Sequence, residues 1–264
     1  MSYTGMTTEI VTYAGHNGDQ LQAYFAQPAG DGPFPGVVVI HHLPGWDEWT
    51  TEVVRKLAHH GYAAISPHLY CRSGMSPEEA GADAFRGLQE GRPVVGQSDD
   101  QAIGDIEASA NWLRARGSSN GRVGCIGFCS GGRLAYLSAC RIPSLDAAVD
   151  CWGGAVTPSP RWPVNDAHPA VPIDLTPQMH CPLLGIFGND DQFPTPQEVD
   201  QTEAALKSAG KEYEFHRYDG AGHGFFATDR PMSRPEQAKD AWQKVFAFYA
   251  KHLNAPVAAA AGVR

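Results

Sequence analysis

Residues 127–132 read Gly127-Phe128-Cys129-Ser130-Gly131-Gly132, the Gly-x-Nu-x-Gly pattern of a nucleophile elbow with cysteine at the reactive place. Arg122 to Ile126 before it reads as a short buried strand, and Gly132 to Ala139 after it as a helix packed close to a sheet. A sharp strand-to-helix turn strains the backbone of its central residue and demands small residues two before and two after it. Gly127 and Gly131 meet that demand around Cys129. For Ser130 the residue two before would be Phe128, whose side chain would collide with the turn, so Cys129 is the candidate nucleophile.

Two more strand-like runs end in residues with acid–base chemistry. Pro182 to Phe187 runs into Gly188-Asn189-Asp190-Asp191-Gln192, and Tyr213 to Tyr218 runs into Asp219-Gly220-Ala221-Gly222-His223-Gly224-Phe225. Nucleophile, acid and histidine thus follow in the chain order of α/β-hydrolases, which differs from the orders of chymotrypsin-like and subtilisin-like folds. Taken alone, Gly-Asn-Asp-Asp is a good turn and a His in a Gly-rich loop is a polar loop residue. Three such loops, each after an apolar run and each with the required residue type, point to a hydrolytic site formed by Cys129, His223 and either Asp190 or Asp191.

The rest of the chain alternates in period. Thr8 to Tyr13 and Leu21 to Gln27 predict two strands joined at Asn17-Gly18, a hairpin signal. Gly36 to Ile40 is wholly apolar, as a strand covered on both faces requires. Glu48 to His60 predicts a helix, Tyr62 to Ser66 a strand, and Pro77 onward a helix again. Asp99 to Arg116 is the clearest helix, with Ile103, Ile106, Ala110 and Leu113 at three- and four-residue steps, closed by Gly117 to Gly121. Beyond the elbow, Asp146 to Trp152, Pro182 to Phe187 and Tyr213 to Tyr218 predict strands, and Pro196 to Ala209 and Pro235 to His252 helices. The pattern is α/β, a doubly wound and mostly parallel sheet flanked by helices. Thr157 to His180 carries six prolines and little periodicity, and reads as a long ordered loop or a mobile lid over the site.

At 264 residues with no charge-rich linker, residues 1–253 fit one domain, with 254–264 as a disordered tail. No apolar run approaches the roughly 18 residues of a membrane helix, and the start carries neither a basic flank nor an apolar stretch, so neither a membrane partner nor a signal peptide is expected and the cytoplasm is the expected location. A net charge of -9 without a basic cluster argues against nucleic acid. Cysteines at 71, 125, 129, 140, 151 and 181 lack a Cys-x-x-Cys pair, a reduced-thiol pattern; Cys125 and Cys151 lie in apolar runs as core residues, and only Cys129 sits where a turn would expose it. His41-His42 and His59-His60 invite a metal reading, but adjacent residues point in different directions, so no metal is expected.

With Gly127 to Gly132, Gly188 to Asp191 and Gly220 to Phe225 set beside Pro67-His68-Leu69-Tyr70 and Ser119 to Gly124, the chain resembles the dienelactone hydrolase family over roughly residues 8 to 252. The resemblance implies an α/β-hydrolase fold, no cofactor, and a Cys-His-Asp triad that opens an enol-lactone through a thioester. It makes Cys129 the nucleophile, His223 the base and Asp191, three after Gly188, the acid; Asp190 becomes a turn residue. It also implies an oxyanion hole from the backbone N–H groups of Leu43 and Ser130. Two positions depart from the family. His42 stands where members carry a glutamate that contacts the cysteine, and Ala227 where they carry an arginine for the substrate carboxylate. His42, when protonated, would stabilise a Cys129 thiolate, and Arg72, Arg86 and Arg230 are the candidate replacements for the missing arginine. The expected substrate is an activated ester or lactone, because thiolate is itself expelled when the departing oxygen is a poor leaving group. A carboxylesterase of another substrate class, a non-catalytic binding protein and a thiol redox sensor are the rival readings, and the chain is expected to be a monomer or homodimer.

Overall fold

The computed structural model describes residues 5–90, 98–228 and 230–254. The tail expected from residue 254 lies, beyond Asn254 itself, outside the described residues. Strands β1 (Met6–Ala14), β2 (Gln20–Pro28), β3 (Phe34–Ile40), β4 (Ala63–Pro67), β5 (Ser119–Phe128), β6 (Ala147–Cys151), β7 (Leu183–Gly188) and β8 (Tyr213–Tyr218) form one sheet in the order β1-β2-β4-β3-β5-β6-β7-β8. β1 pairs antiparallel with β2 and β2 antiparallel with β4; every later pairing is parallel. Helices α1 (Glu48–His59), α2 (Pro77–Gln89), α3 (Asp99–Arg114), α4 (Ser130–Arg141), α5 (Pro196–Ser208) and α6 (Pro235–Leu253) complete the α/β-hydrolase architecture.

The sheet divides two apolar cores. On one face Val53, Val54 and Leu57 of α1 and Trp242, Val245 and Tyr249 of α6 pack against Val37, Ile126 and Val149. On the other, Ile103, Ile106 and Leu113 of α3 and Ala135 and Tyr136 of α4 pack against Val38, Cys125 and Ala148. Burial of both faces explains why β3 and β7 read as unbroken apolar runs instead of alternating ones, and β6 does so except at the buried Asp150. Side-chain caps start the helices where the sequence offers them: Asp47 on α1, a Ser98/Gln101 capping box on α3, and a Thr195/Glu198 box on α5 with Pro196 in the first turn.

Three boundaries depart from the sequence reading. β5 begins at Ser119, inside the stretch read as a helix stop, because Ser119 pairs with Phe34 across an irregularity in the ladder. α4 begins at Ser130, immediately after Cys129, since the elbow has no spacer between strand and helix. Asn17-Gly18 lies in a 3₁₀ turn (His16–Gly18), not a two-residue hairpin; both residues have positive φ, and Gly15 N donates to Asp19 O at 2.7 Å. The 157–180 segment holds a 3₁₀ helix (Pro172–Gln178) and is tied down at both ends. Ile173 N donates to Val156 O, Asp99 N to Ala167 O, and His180 N to Ala139 O, all at 2.8–2.9 Å.

Candidate active site

Parallel strands place their C-terminal ends on one edge of the sheet, and the loops leaving β3, β5, β6, β7 and β8 meet there. Between β5 and α4, Cys129 has φ 56° and ψ −118°, a backbone conformation that L-residues rarely adopt. Its amide donates to Cys151 O at 3.1 Å, and its carbonyl accepts from Gly132 N and Arg133 N at 2.9 and 3.2 Å. A Cβ on Gly127 would strike the Gly131 carbonyl, and one on Gly131 the carbonyls of Ile40 and His41, which is why the turn admits no larger residue at either place. Phe128 is buried beside it and packs on Trp49 with ring centroids 4.8 Å apart.

The loop after β7 is locked to the one after β8: Asn189 N donates to Tyr218 O and Asp190 N to Ala221 O, both at 2.9 Å. Within it the two aspartates separate. Asp190 is exposed, whereas Asp191 is 2% exposed, accepts from Phe193 N at 2.9 Å on Oδ1, and accepts from His223 Nδ1 at 2.9 Å on Oδ2. His223 and Cys129 border the same two cavities, and Cys129 is among the groups that act on the imidazole. Burial works against the imidazolium, but attraction to Cys129, the hydrogen bond to Asp191 and the Asp191 charge outweigh it and raise the His223 pKa to about 10. Trp152 meets the His223 ring edge-on at 6.4 Å.

Two cavities open from Cys129 and His223. One, about 300 Å³, is lined by Leu43, Ser130, Gly154, Arg161, Trp162 and Phe193 besides the three side chains above. The other, about 190 Å³, lies toward His42, Trp49, Phe85, Trp152, Arg230 and Met232, and Leu43 borders both. Ser130 is the first residue of α4, so its N–H belongs to the helix end that favours negative charge.

The remaining candidates divide. His42 lines the smaller cavity, with its Nε2 2.7 Å from Asp47 Oδ2; Arg230 Nη2 reaches the same oxygen at 3.1 Å. Burial opposes ionisation of Asp47, but His42 and the Thr50 hydrogen bonds hold its pKa down at about 2, so the His42 ring faces an anion. Arg72 and Arg86 are not brought to the site. Arg72 is engaged by Asp105 and Asp19 at 2.7 Å each, beside the β1–β2 hairpin, and Arg86 lies exposed on α2 outside both cavities. His41 uses both ring nitrogens within the chain, Nδ1–H donating to His42 O at 2.8 Å and Nε2 accepting from Leu69 N at 3.3 Å, and burial pushes its pKa down to about 4.

The sequence reading missed Asp47, Arg161, Trp162 and Phe193. Asp47 had a signal, an acidic residue just before an apolar-periodic helix. Arg161 had none: it reaches the larger cavity from the proline-rich segment, its guanidinium 5.0 Å from the Phe193 ring centroid. The cysteine reading needs one correction, for Cys71 is also partly exposed, while Cys125, Cys140, Cys151 and Cys181 are buried.

Known proteins resemble this chain in sequence and in fold. The profile of the dienelactone hydrolase family matches residues 21–253. A Salmonella typhimurium protein named "Putative carboxymethylenebutenolidase" is 33% identical over 250 residues, covering 94% of this chain and 89% of its own. A Bradyrhizobium protein named "Probable 2-oxo-3-(5-oxofuran-2-ylidene)propanoate lactonase" is 28% identical over 253 residues, covering 94% of this chain and 98% of its own. The crystal structure of a "Putative Dienelactone Hydrolase" from Klebsiella pneumoniae superposes with a TM-score of 0.82 at 31% identity, over 94% of this chain and all of that one. On its profile and its relatives, the chain belongs to the dienelactone hydrolase family.

Proposed function

We propose that the protein hydrolyses an activated ester or lactone through a Cys129-His223-Asp191 triad, without a cofactor. The observation that carries the reading is the meeting of these three side chains, from three separate loops, at a strained Cys129 backbone. Asp191 fixes the His223 tautomer by accepting from Nδ1–H, and His223 takes the thiol proton of Cys129. The thiolate attacks the carbonyl carbon, and the N–H groups of Leu43 and Ser130 receive the oxyanion, each contributing about 3 kcal/mol to the barrier reduction. The C–O bond then breaks, the departing oxygen takes the proton from His223, and a thioester remains. Water next attacks the thioester while His223 accepts its proton; the carboxylic acid leaves and the thiolate is restored.

The lactonase name of the Bradyrhizobium relative supports a ring ester as substrate. The two cavities diverging from Cys129 favour a second reading of the substrate, an open ester whose two arms fill about 300 and about 190 Å³. Mixing the enzyme with an activated aryl ester tests the mechanism. We expect a burst of one phenolate per active site and, after quenching, the acyl group on the peptide carrying Cys129. Hydrolysis at full rate by Cys129→Ala would refute the triad.

A further inference from the structure

Asp150 is a carboxylate that the triad does not use and the fold does not expose. It lies on β6 at 1% exposure, with Gly127 of β5 and Gly185 of β7 as its partners across the sheet. Oδ1 accepts from Gly153 N at 2.7 Å, while Oδ2 is buried without a hydrogen-bond partner among the described residues. A Cβ on Gly132, in the first turn of α4, or on Gly153 would run into Oδ1. The side chain therefore fills the gap between the nucleophile helix and the turn that leaves β6.

That turn is itself unusual, and it touches the site from three directions. Trp152 and Ala155 are non-glycine residues at positive φ, 44° and 57°, a conformation that persists only where surroundings impose it. Trp152 lines the smaller cavity and meets His223, and Gly154 lines the larger. Cys151, between Asp150 and the turn, accepts the Cys129 amide. We propose that Asp150 is a positioning residue of the active site, its carboxyl holding the Trp152–Ala155 turn against the first turn of α4 so that both cavity walls and the Cys129 backbone are set together.

The group works uncharged. Burial pushes its carboxyl up to about 7, the Gly153 N–H pulling weakly the other way. The titratable groups around it are Cys125 of β5, Tyr136 of α4, Cys151 of β6 and Glu198 of α5. None is a cation that could stabilise an Asp150 anion. Its ionisation would place a negative charge under the α4 N-terminus, where it competes with the oxyanion proposed at Ser130 N–H and loosens the turn. Activity should therefore fall as pH rises through about 7, well apart from the His223 transition near 10.

The inference rests on the proposed site, and Asp150→Asn tests it, because the amide keeps the acceptor for Gly153 N–H and cannot ionise. Two profiles are measured from about pH 5 to about pH 9: kcat/KM for an activated aryl ester, and the rate of Cys129 alkylation by iodoacetamide. Wild type should show a falling limb in kcat/KM centred near 7; Asp150→Asn should match wild type within about threefold at the acid end and lose that limb. Asp150→Ala, which lacks the acceptor, should fall at least about tenfold at every pH, mainly in kcat. An Asp150→Asn profile that keeps the limb overturns the proposal. So does an Asp150 carboxyl in the wild-type protein that titrates below about 5 by carbon NMR, a measurement that holds even if the variants fail to fold. Loss of the triad reading would show instead as hydrolysis that survives complete Cys129 alkylation.

Discussion

Deleting Asp99 should unfasten the proline-rich segment by leaving a buried cation alone. Arg133 Nη1 and Nη2 donate to Asp99 Oδ1 and Oδ2 at 2.6 and 2.9 Å, and the two side chains are 2% and 3% exposed. Asp99 also accepts from His168 Nδ1 at 3.0 Å, and its own amide donates to Ala167 O. The pair thus joins α3 and α4 to the 157–180 segment, and Trp162 of that segment sits 5.3 Å over the Arg133 guanidinium. Removing one partner of a buried pair costs about 3–5 kcal/mol, because the other charge stays buried and uncompensated. At roughly 2 °C per kcal/mol for a chain of this length, Asp99→Ala should lower Tm by about 6–10 °C. In Asp99→Ala/Arg133→Met no orphan charge remains, so the double variant should recover at least about half of that loss. Calorimetry measures both, and limited proteolysis within 157–180 should quicken in the single variant. Because Arg161 and Trp162 wall the larger cavity, KM for a bulky ester should rise more than kcat falls. Arg133 and His168 hold Asp99 below its ordinary value against its own burial, so this stabilisation is present above about pH 4 and is lost as pH falls through the folded pKa. A Tm within about 2 °C of wild type for Asp99→Ala, or a double variant that loses the sum of the two single losses, would refute the reasoning.

The remaining expectations concern the triad. Asp191→Asn should cut turnover by on the order of 10⁴ through loss of the His223 tautomer, while exposed Asp190→Asn should change it by less than about threefold; steady-state kinetics that reverse this order would move the acid to Asp190. Next to burial, Cys129 has the largest influence on the raised His223 pKa, so in Cys129→Ala the imidazole should titrate well below 10 by NMR. An unmoved value would mean the two side chains do not interact. The stabilising effect of protonated His223 is complete below about 6.5 and disappears as pH rises through about 10, so the Cys129→Ala variant should also lose its stability dependence across that window. Sub-stoichiometric iodoacetamide should label Cys129 ahead of Cys71, whose thiol burial pushes up; peptide mapping that finds Cys71 first would contradict the assignment.

The sequence alone determined the strand–helix alternation and the order of the three candidate loops, and it made Cys129, not Ser130, the candidate nucleophile. Each rests on a local rule: wholly apolar runs belong to strands buried on both faces, and a tight elbow needs glycine at 127 and 131. Tertiary structure decided what depends on distant residues arriving at one place. It turned the His42 ring toward Asp47, used up Arg72 on Asp105 and left Arg86 outside, because an arginine's partner is set by which loops pack together and not by its neighbours in the chain. It brought Arg161 and Trp162 to the larger cavity from a segment whose prolines carry no periodicity. It also buried Asp150 among four glycines scattered from 127 to 185, a juxtaposition that exists only once the sheet has closed around it.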